Sequence, residues 1–437
     1  MLAVAAASAG LLACLVLSRN AAAPRPAPAT SSAQAGPGTD RSDPPSQKHA
    51  HGDSLTRERQ ALALAPENSP VRSHLAVLLD NAQPATQHRK AARSLAELAS
   101  AESVAALKIA LAEGSPQARI AVAEALGACR HQDAFTAAAE LVKANEDRLA
   151  LAAIRGFGDR GDAAAADLLR DVLFSEDGSE PARIEAALSL GTMGDAPGGK
   201  DAAKVLFDAA ERIREETILQ PVFEGIAARP FEECRTFFSA YLGANDVPVE
   251  LKALALESLG LSGHAPAEFL LQYAAHPDPQ VRGAAALGLA NTDESGLSAS
   301  LANLARVETD PKVRVRLYQA LGNQENPSPA DVLALVQAEK DPAARLPALT
   351  LAASLSNAAA HEEFVRYFDQ VAVPELTLAA LTAPQVGDRI AAVVALSRAS
   401  SPEAAASLAR IARETKDPQV VSTLEASVRQ AQNERPR

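Results

Sequence analysis

The sequence predicts an all-α protein, an α-α superhelix in which helical hairpins stack as a right-handed solenoid. Three observations carry this expectation. Asp-Pro pairs recur at Asp278-Pro279, Asp310-Pro311, Asp341-Pro342 and Asp417-Pro418, with proline spacings of about 32, 31 and 76 residues. Small closing pairs recur with a similar step, at Leu126-Gly127, Phe157-Gly158, Leu190-Gly191, Leu259-Gly260 and Leu321-Gly322. Between these markers the apolar residues follow a helical period, with no alternating, strand-like run. A single hairpin cannot bury its own apolar face, so such units stack.

Residues 1–18 come first. Leu2 to Leu17 is uncharged and nearly all apolar. It lies at the short edge of a membrane span, about 20 residues, and is long for a signal-peptide core of roughly 7–15. It is expected to be an N-terminal anchor or signal segment. Leu11-Leu12-Ala13-Cys14 resembles a loose lipobox, although Leu15-Val16-Leu17 continues the apolar run past the cysteine. Residues 19–54 are rich in Pro, Ala, Ser and Gly and read as a disordered linker. Residues 55–110 are expected to form a helical N-terminal cap, and residues 111–437 the solenoid.

Within the solenoid, Asp278 begins DPQVRGAAALGLA, Asp310 begins DPKVRVRLYQALG and Asp341 begins DPAARLPALTLAA. Ser115 and Glu180 open similar segments. Asp or Ser suits the N-cap, where its oxygen accepts from the free N–H groups of the first turn. Proline suits the next position, where its missing N–H costs nothing. The closing glycines are expected to be left-handed C-terminal caps. Partner helices are expected near 134–144, 163–174, 202–214, 267–276, 297–307 and 404–414. One step is long: an excess of residues falls around 357–384, which reads as a longer helix or as an insertion carrying binding.

The D-P-x-V-R…A…L-G pattern resembles HEAT repeats, especially the short bacterial kind seen in phycobilin-lyase-like repeat proteins. The resemblance covers about residues 100–430. It implies a structural ladder between neighbouring units, carried here by Asp278 with Arg282, Asp310 with Arg314, and Asp341 with Arg345. It also implies a concave surface that binds protein or peptide partners.

The net charge is −12. Residues 1–54 hold four basic and three acidic side chains, so the folded part is the acidic one. Acidic surface without tryptophan argues against nucleic acid as a partner. Cys129 and Cys234 are expected to be buried free thiols. No zinc-type spacing, P-loop, dinucleotide fingerprint or nucleophile elbow occurs. His49, His51 and Asp53 lie in the linker. His361-Glu362 is a single His-Glu pair, without the repetition that iron-binding HEAT-like hydroxylases show. No cofactor and no metal are therefore expected. Phe364, Tyr367 and Phe368 are candidate partner contacts, in the segment where the rhythm breaks. These features predict a non-catalytic scaffold, membrane-anchored or secreted, on the extracytoplasmic side of a bacterial envelope. The alternative is a repeat-based enzyme or cofactor lyase with its site near 357–384.

Overall fold

Short polar side chains followed by proline set many of the helix starts. Ser115 accepts from the Ala118 N–H, Ser179 from Ala182, Asp278 from Gln280, Asp310 from Lys312 and Val313, and Ser401 from Ala404. Each of these helices carries proline in its first two positions. The cap pairs one orphan N–H, and the proline removes another. The computed structural model describes residues 55–433, apart from positions 57, 61, 64, 65, 67, 145, 146, 293, 295, 356–361 and 400; Asp147 and positions 428–433 are described by backbone alone. The expected anchor at 1–18, the linker at 19–54, and His49, His51, Asp53 and His361 lie outside the described residues.

The helices run in hairpins. They are α1 (Pro70–Leu79) with α2 (Ala85–Leu98), α3 (Ala101–Glu113) with α4 (Pro116–Ala128), and α5 (Gln132–Lys143) with α6 (Asp147–Arg160). Next come α7 (Ala163–Leu173) with α8 (Glu180–Thr192), α9 (Gly199–Arg212) with α10 (Glu216–Ala227), and α11 (Phe231–Gly243) with α12 (Val249–Leu261). They continue as α13 (Ala267–Tyr273) with α14 (Pro279–Leu289), α15 (Leu297–Val307) with α16 (Pro311–Gly322), and α17 (Pro329–Ala338) with α18 (Pro342–Leu355). Then α19 (Glu362–Tyr367), a π-helical turn (Phe368–Ala372) and α20 (Val373–Thr382) precede α21 (Val386–Arg398), and α22 (Pro402–Glu414) pairs with α23 (Pro418–Asn433). No strand occurs among the described residues. The architecture is the all-α superhelix that the sequence predicts. The expected boundary between 110 and 111 would cut through α3, so α3 and α4 form one unit.

Second helices pack on second helices, from α2 through α4, α6, α8, α10, α12, α14, α16, α18 and α21 to α23. First helices form the other layer, and one continuous apolar core lies between the two. Alanine dominates this core, and Phe157, Phe223 and Phe238 are among its largest fully buried side chains.

The closing glycines do a different job from the one expected. Gly127, Gly158, Gly191, Gly260 and Gly322 are not left-handed; the glycines with positive φ are Gly161, Gly194, Gly263 and Gly296. The first group stays inside the last helical turn, and at Gly127, Gly158, Gly191 and Gly260 a side chain would press on the next unit. A Cβ on Gly191 would sit 2.9 Å from the Gly225 Cα, and a Cβ on Gly225 would sit 2.9 Å from the Gly191 Cα. Gly127 faces Gly156, and Gly260 faces Gly288, in the same way. After Gly158, Gly191 and Gly260 the left-handed turn comes three residues later, at Gly161, Gly194 and Gly263.

The irregular step near 357–384 is a longer first helix. Its described part runs without a break from Glu362 to Thr382 through the π turn. Pro374 has no N–H to give to the preceding turn, and its ring crowds the carbonyl four residues back. A widened π turn immediately before it relieves that conflict.

Candidate binding face

At three joints, α4 on α6, α8 on α10 and α12 on α14, second helices meet at glycine backbone, whereas first helices meet through longer side chains. Phe207 of α9 stacks on Phe237 of α11 with ring centroids 5.1 Å apart, and Phe231 of α11 meets Phe269 of α13 at 5.0 Å. Close spacing in one layer and wide spacing in the other curve the array. The second helices therefore line the inner, concave side.

Burial along these helices picks out one exposed stripe on each. In α10 the residues from Ile218 to Ala227 are buried except Gln220 and Glu224, which lie four apart and face solvent, with the Gln220 amide donating to Glu224 at 3.0 Å. The same stripe carries Arg148 and Arg155 on α6, Glu185 and Leu188 on α8, Glu250, Glu257 and Leu261 on α12, and Gln319 on α16. Leu188 is 41% exposed and Leu261 47%, which is high for large apolar side chains on packed helices. Two ion pairs tie the stripe together. Arg155 meets Glu185 at 2.9 Å, and Arg316 crosses over α14 at Gly283 to reach Glu257 at 2.9 Å. Gly283 supplies the room, since a Cβ there would lie 3.2 Å from the Arg316 Nη1.

The ladder residues are all placed at the openings of the second helices, but the pairing differs from the expected one. Asp278, Asp310 and Asp341 turn inward on their own helix starts: each accepts from backbone N–H groups two or three residues on. The arginines instead reach a glutamate. Arg282 binds both oxygens of Glu308 at 2.7 and 2.8 Å, Arg314 binds both of Glu339, and Arg345 binds both of Glu375 at 2.8 Å. An aspartate already satisfied at an N-cap is too short to reach the neighbouring unit as well. Glu308 and Glu339 stand two residues ahead of the next Asp, and each also accepts from that Asp's N–H. Arg183 to Glu215 and Arg389 to Asp417 repeat the rung. Each of these five arginines is the fourth residue of its helix.

Glu339 shows the electrostatics of a rung. Burial pushes its carboxyl pKa up, but the Arg314 guanidinium, the Asp341 N–H and the Tyr318 hydroxyl outweigh burial and hold it below the ordinary value of 4.5. The Tyr318 O–H donates to it at 2.8 Å.

A second set of cross-unit bonds, which the sequence reading missed, sits at the opposite ends of the same helices. Arg160 donates to the Cys129 carbonyl, Asn291 to Gly260, Asn323 to Ala290 and Gln324 to Thr292, and a ring nitrogen of His264 bonds the Ala227 carbonyl. These residues differ in type, so no motif announces them. Their roughly 31-residue step to the acceptor was the available signal.

The aromatic candidates are corrected. Phe364 and Phe368 are each 1% exposed and belong to the core, and Tyr367 accepts from Arg345 at 3.2 Å. They face inward because the long first helix must fill the space between α17 and α22. Cys129 and Cys234 are free and buried, and burial pushes the Cys234 thiol up to about 11.

Comparison with known proteins agrees with this geometry. Residues 240–322 and 267–354 match the HEAT repeats family model. No curated protein matches the sequence. Solved structures resemble the fold: the karyopherin Kap121p bound to the SUMO protease Ulp1p, at 15% identity and a TM-score of 0.51, and Kap121p bound to Nup53p, at 14% and 0.50. Each comparison covers 89% of this chain, and 46% and 47% of those chains respectively, so this chain spans about half their length.

Proposed function

We propose that this HEAT-repeat solenoid is a non-catalytic scaffold that holds a protein or peptide segment along its inner face. The observation that carries the reading is the pair of exposed leucines, Leu188 and Leu261, set in a continuous polar stripe. Single exposed apolar side chains are ordinary on a protein surface; these two support the reading because they lie in the polar stripe, whose side chains give a partner segment its register. The stripe supplies both acceptors (Glu224 and Glu250) and donors (Gln220 and Gln319). An extended chain with a free backbone and a few apolar side chains fits this chemistry. The Kap121p structures, solved with bound protein, support the choice of partner class by analogy of fold.

The same proposal places the solenoid at a bacterial envelope, on the extracytoplasmic side. Residues 1–18 act as the membrane anchor and residues 19–54 as the tether. The apolar run and the Pro-rich composition support this. Among the described residues no helix is long and apolar enough to cross a membrane.

The enzyme or lyase alternative has no observation in its favour. The described side chains of 362–384 include Phe364, Phe368 and Leu376, which are core. No group of three His, Cys, Asp or Glu side chains suited to a metal occurs among the described residues.

The test compares proteins that co-purify with the wild type and with a Leu188→Asp/Leu261→Asp double variant of verified helicity. A specific set lost from the variant supports the inner-face reading. Identical sets refute it.

A further inference from the structure

We infer that the solenoid contains one built-in hinge, at the joint between α10 and α12. Every other joint between second helices from α4 to α18 is fastened by a glycine backbone contact or by an ion pair. Gly127 and Gly156 bring α4 and α6 into backbone contact, and Gly260 and Gly288 do so for α12 and α14. Arg155 and Glu185 join α6 to α8. Arg183–Glu215, Thr217–Glu180 and the Gly191–Gly225 approach all join α8 to α10. Arg282–Glu308 joins α14 to α16, and Arg314–Glu339 joins α16 to α18.

The joint between α10 and α12 has none of these among the described residues. The position that should carry the rung arginine, the fourth residue of α10, is Leu219, which is buried. The next rung position, in α12, is Lys252, which makes no ion pair among the described residues. No glycine pair closes the gap. One cross-unit hydrogen bond remains, from the His264 ring to the Ala227 carbonyl, and it sits at the C-terminal ends of the two helices.

The material around the joint is also different. Phe207, Phe223, Phe231, Phe237, Phe238 and Tyr241 gather about α11, where other units use alanine. Phe207 on Phe237 and Phe223 on Tyr241 cross this joint, so it is held by ring packing and not by an ion pair. The Tyr241 hydroxyl is buried with no partner, so the packing there leaves a polar group unsatisfied. A joint pinned at one edge and unlatched at the other rotates about the pinned edge. The two arms, α1 to α10 and α12 to α23, then move as units, and Leu188 and Leu261 lie on opposite arms. The width of the inner face between these leucines is set by the hinge angle. This inference concerns the free chain and stands whether or not a partner binds there.

Distance distributions between paired spin labels test it. The labels go, without thiol chemistry, on exposed first-helix positions two units apart: Glu211 with Gln272 across the joint, and Gln272 with Gln337 across two fastened joints. Helicity is checked for each labelled chain. Because only the first pair spans an unlatched joint, its distribution should be roughly twice as broad as the second. Equal widths, or a broader Gln272–Gln337 distribution, would overturn the hinge.

Discussion

Replacing Gly191 by alanine should destabilise the protein, although alanine is the better helix former. The Gly191 Cβ would sit 2.9 Å from the Gly225 Cα, a backbone atom of the neighbouring helix. Carbon atoms rest at about 3.5–4.0 Å, so the shortfall is roughly 0.6–1.1 Å. No side chain can rotate away, and α8 and α10 must separate or shear. Overpacking of this kind costs about 1–3 kcal/mol. Alanine returns about 0.8–1 kcal/mol of helix propensity. The net expectation is a loss of about 1 kcal/mol, and Gly191→Val, without the propensity gain, should lose about 2–3 kcal/mol. Gly243 and Gly387 provide the internal control, since a Cβ at either meets nothing within 4 Å. Alanine there should stabilise by up to about 1 kcal/mol. Urea unfolding followed by helical circular dichroism gives the midpoints. Hydrogen exchange localises the effect, because a repeat array need not unfold in one step. If Gly191→Ala proves as stable as Gly243→Ala, the backbone contact between second helices is not what fixes glycine there.

Other expectations follow from the same contacts. Arg314→Ala should cost about 3–5 kcal/mol, because it leaves the buried Glu339 carboxylate without its cation, while Glu339→Gln should cost less; denaturant midpoints separate the two. The rungs should also fail in acid. Glu308 and Glu339 have folded-state pKa values below 4.5, so their contribution is complete above that value and is lost as the pH falls through the lowered ones. A urea midpoint that stays flat from pH 6 to below pH 4 would contradict this. Cys129 and Cys234 should resist a thiol reagent in the native chain and react only on unfolding, since both are buried and burial raises both thiols.

The array itself was legible because its start signal is chemical and local. Asp or Ser before proline can be read from sequence, and Asp278 and Asp310 cap their helices as the spacing implies. The partners of Arg282 and Arg314 were not legible, because a rung joins residues about 25 apart whose separation depends on how the units stack. The glycines misled for a related reason. A glycine near a helix end suits a left-handed cap and suits a close crossing, and only the neighbouring helix distinguishes them. Phe364 and Phe368 looked like partner contacts because they fall where the rhythm breaks, but the broken rhythm is a long helix whose inner face still needs filling. The exposed leucines, Leu188 and Leu261, could not be told from core leucines by sequence, since both sit among buried neighbours on helices with little amphipathic contrast.

Site-specific photo-crosslinking in the native cells tests the scaffold reading most directly. A photoreactive residue is placed on the inner face at Leu188, Gln220 or Leu261, and on the outer layer at Lys204, Gln272 or Gln337. The predicted result is a common protein adduct from the inner positions and none from the outer ones. Adducts of equal yield from both layers, or from the outer layer alone, would contradict a partner held along the concave face.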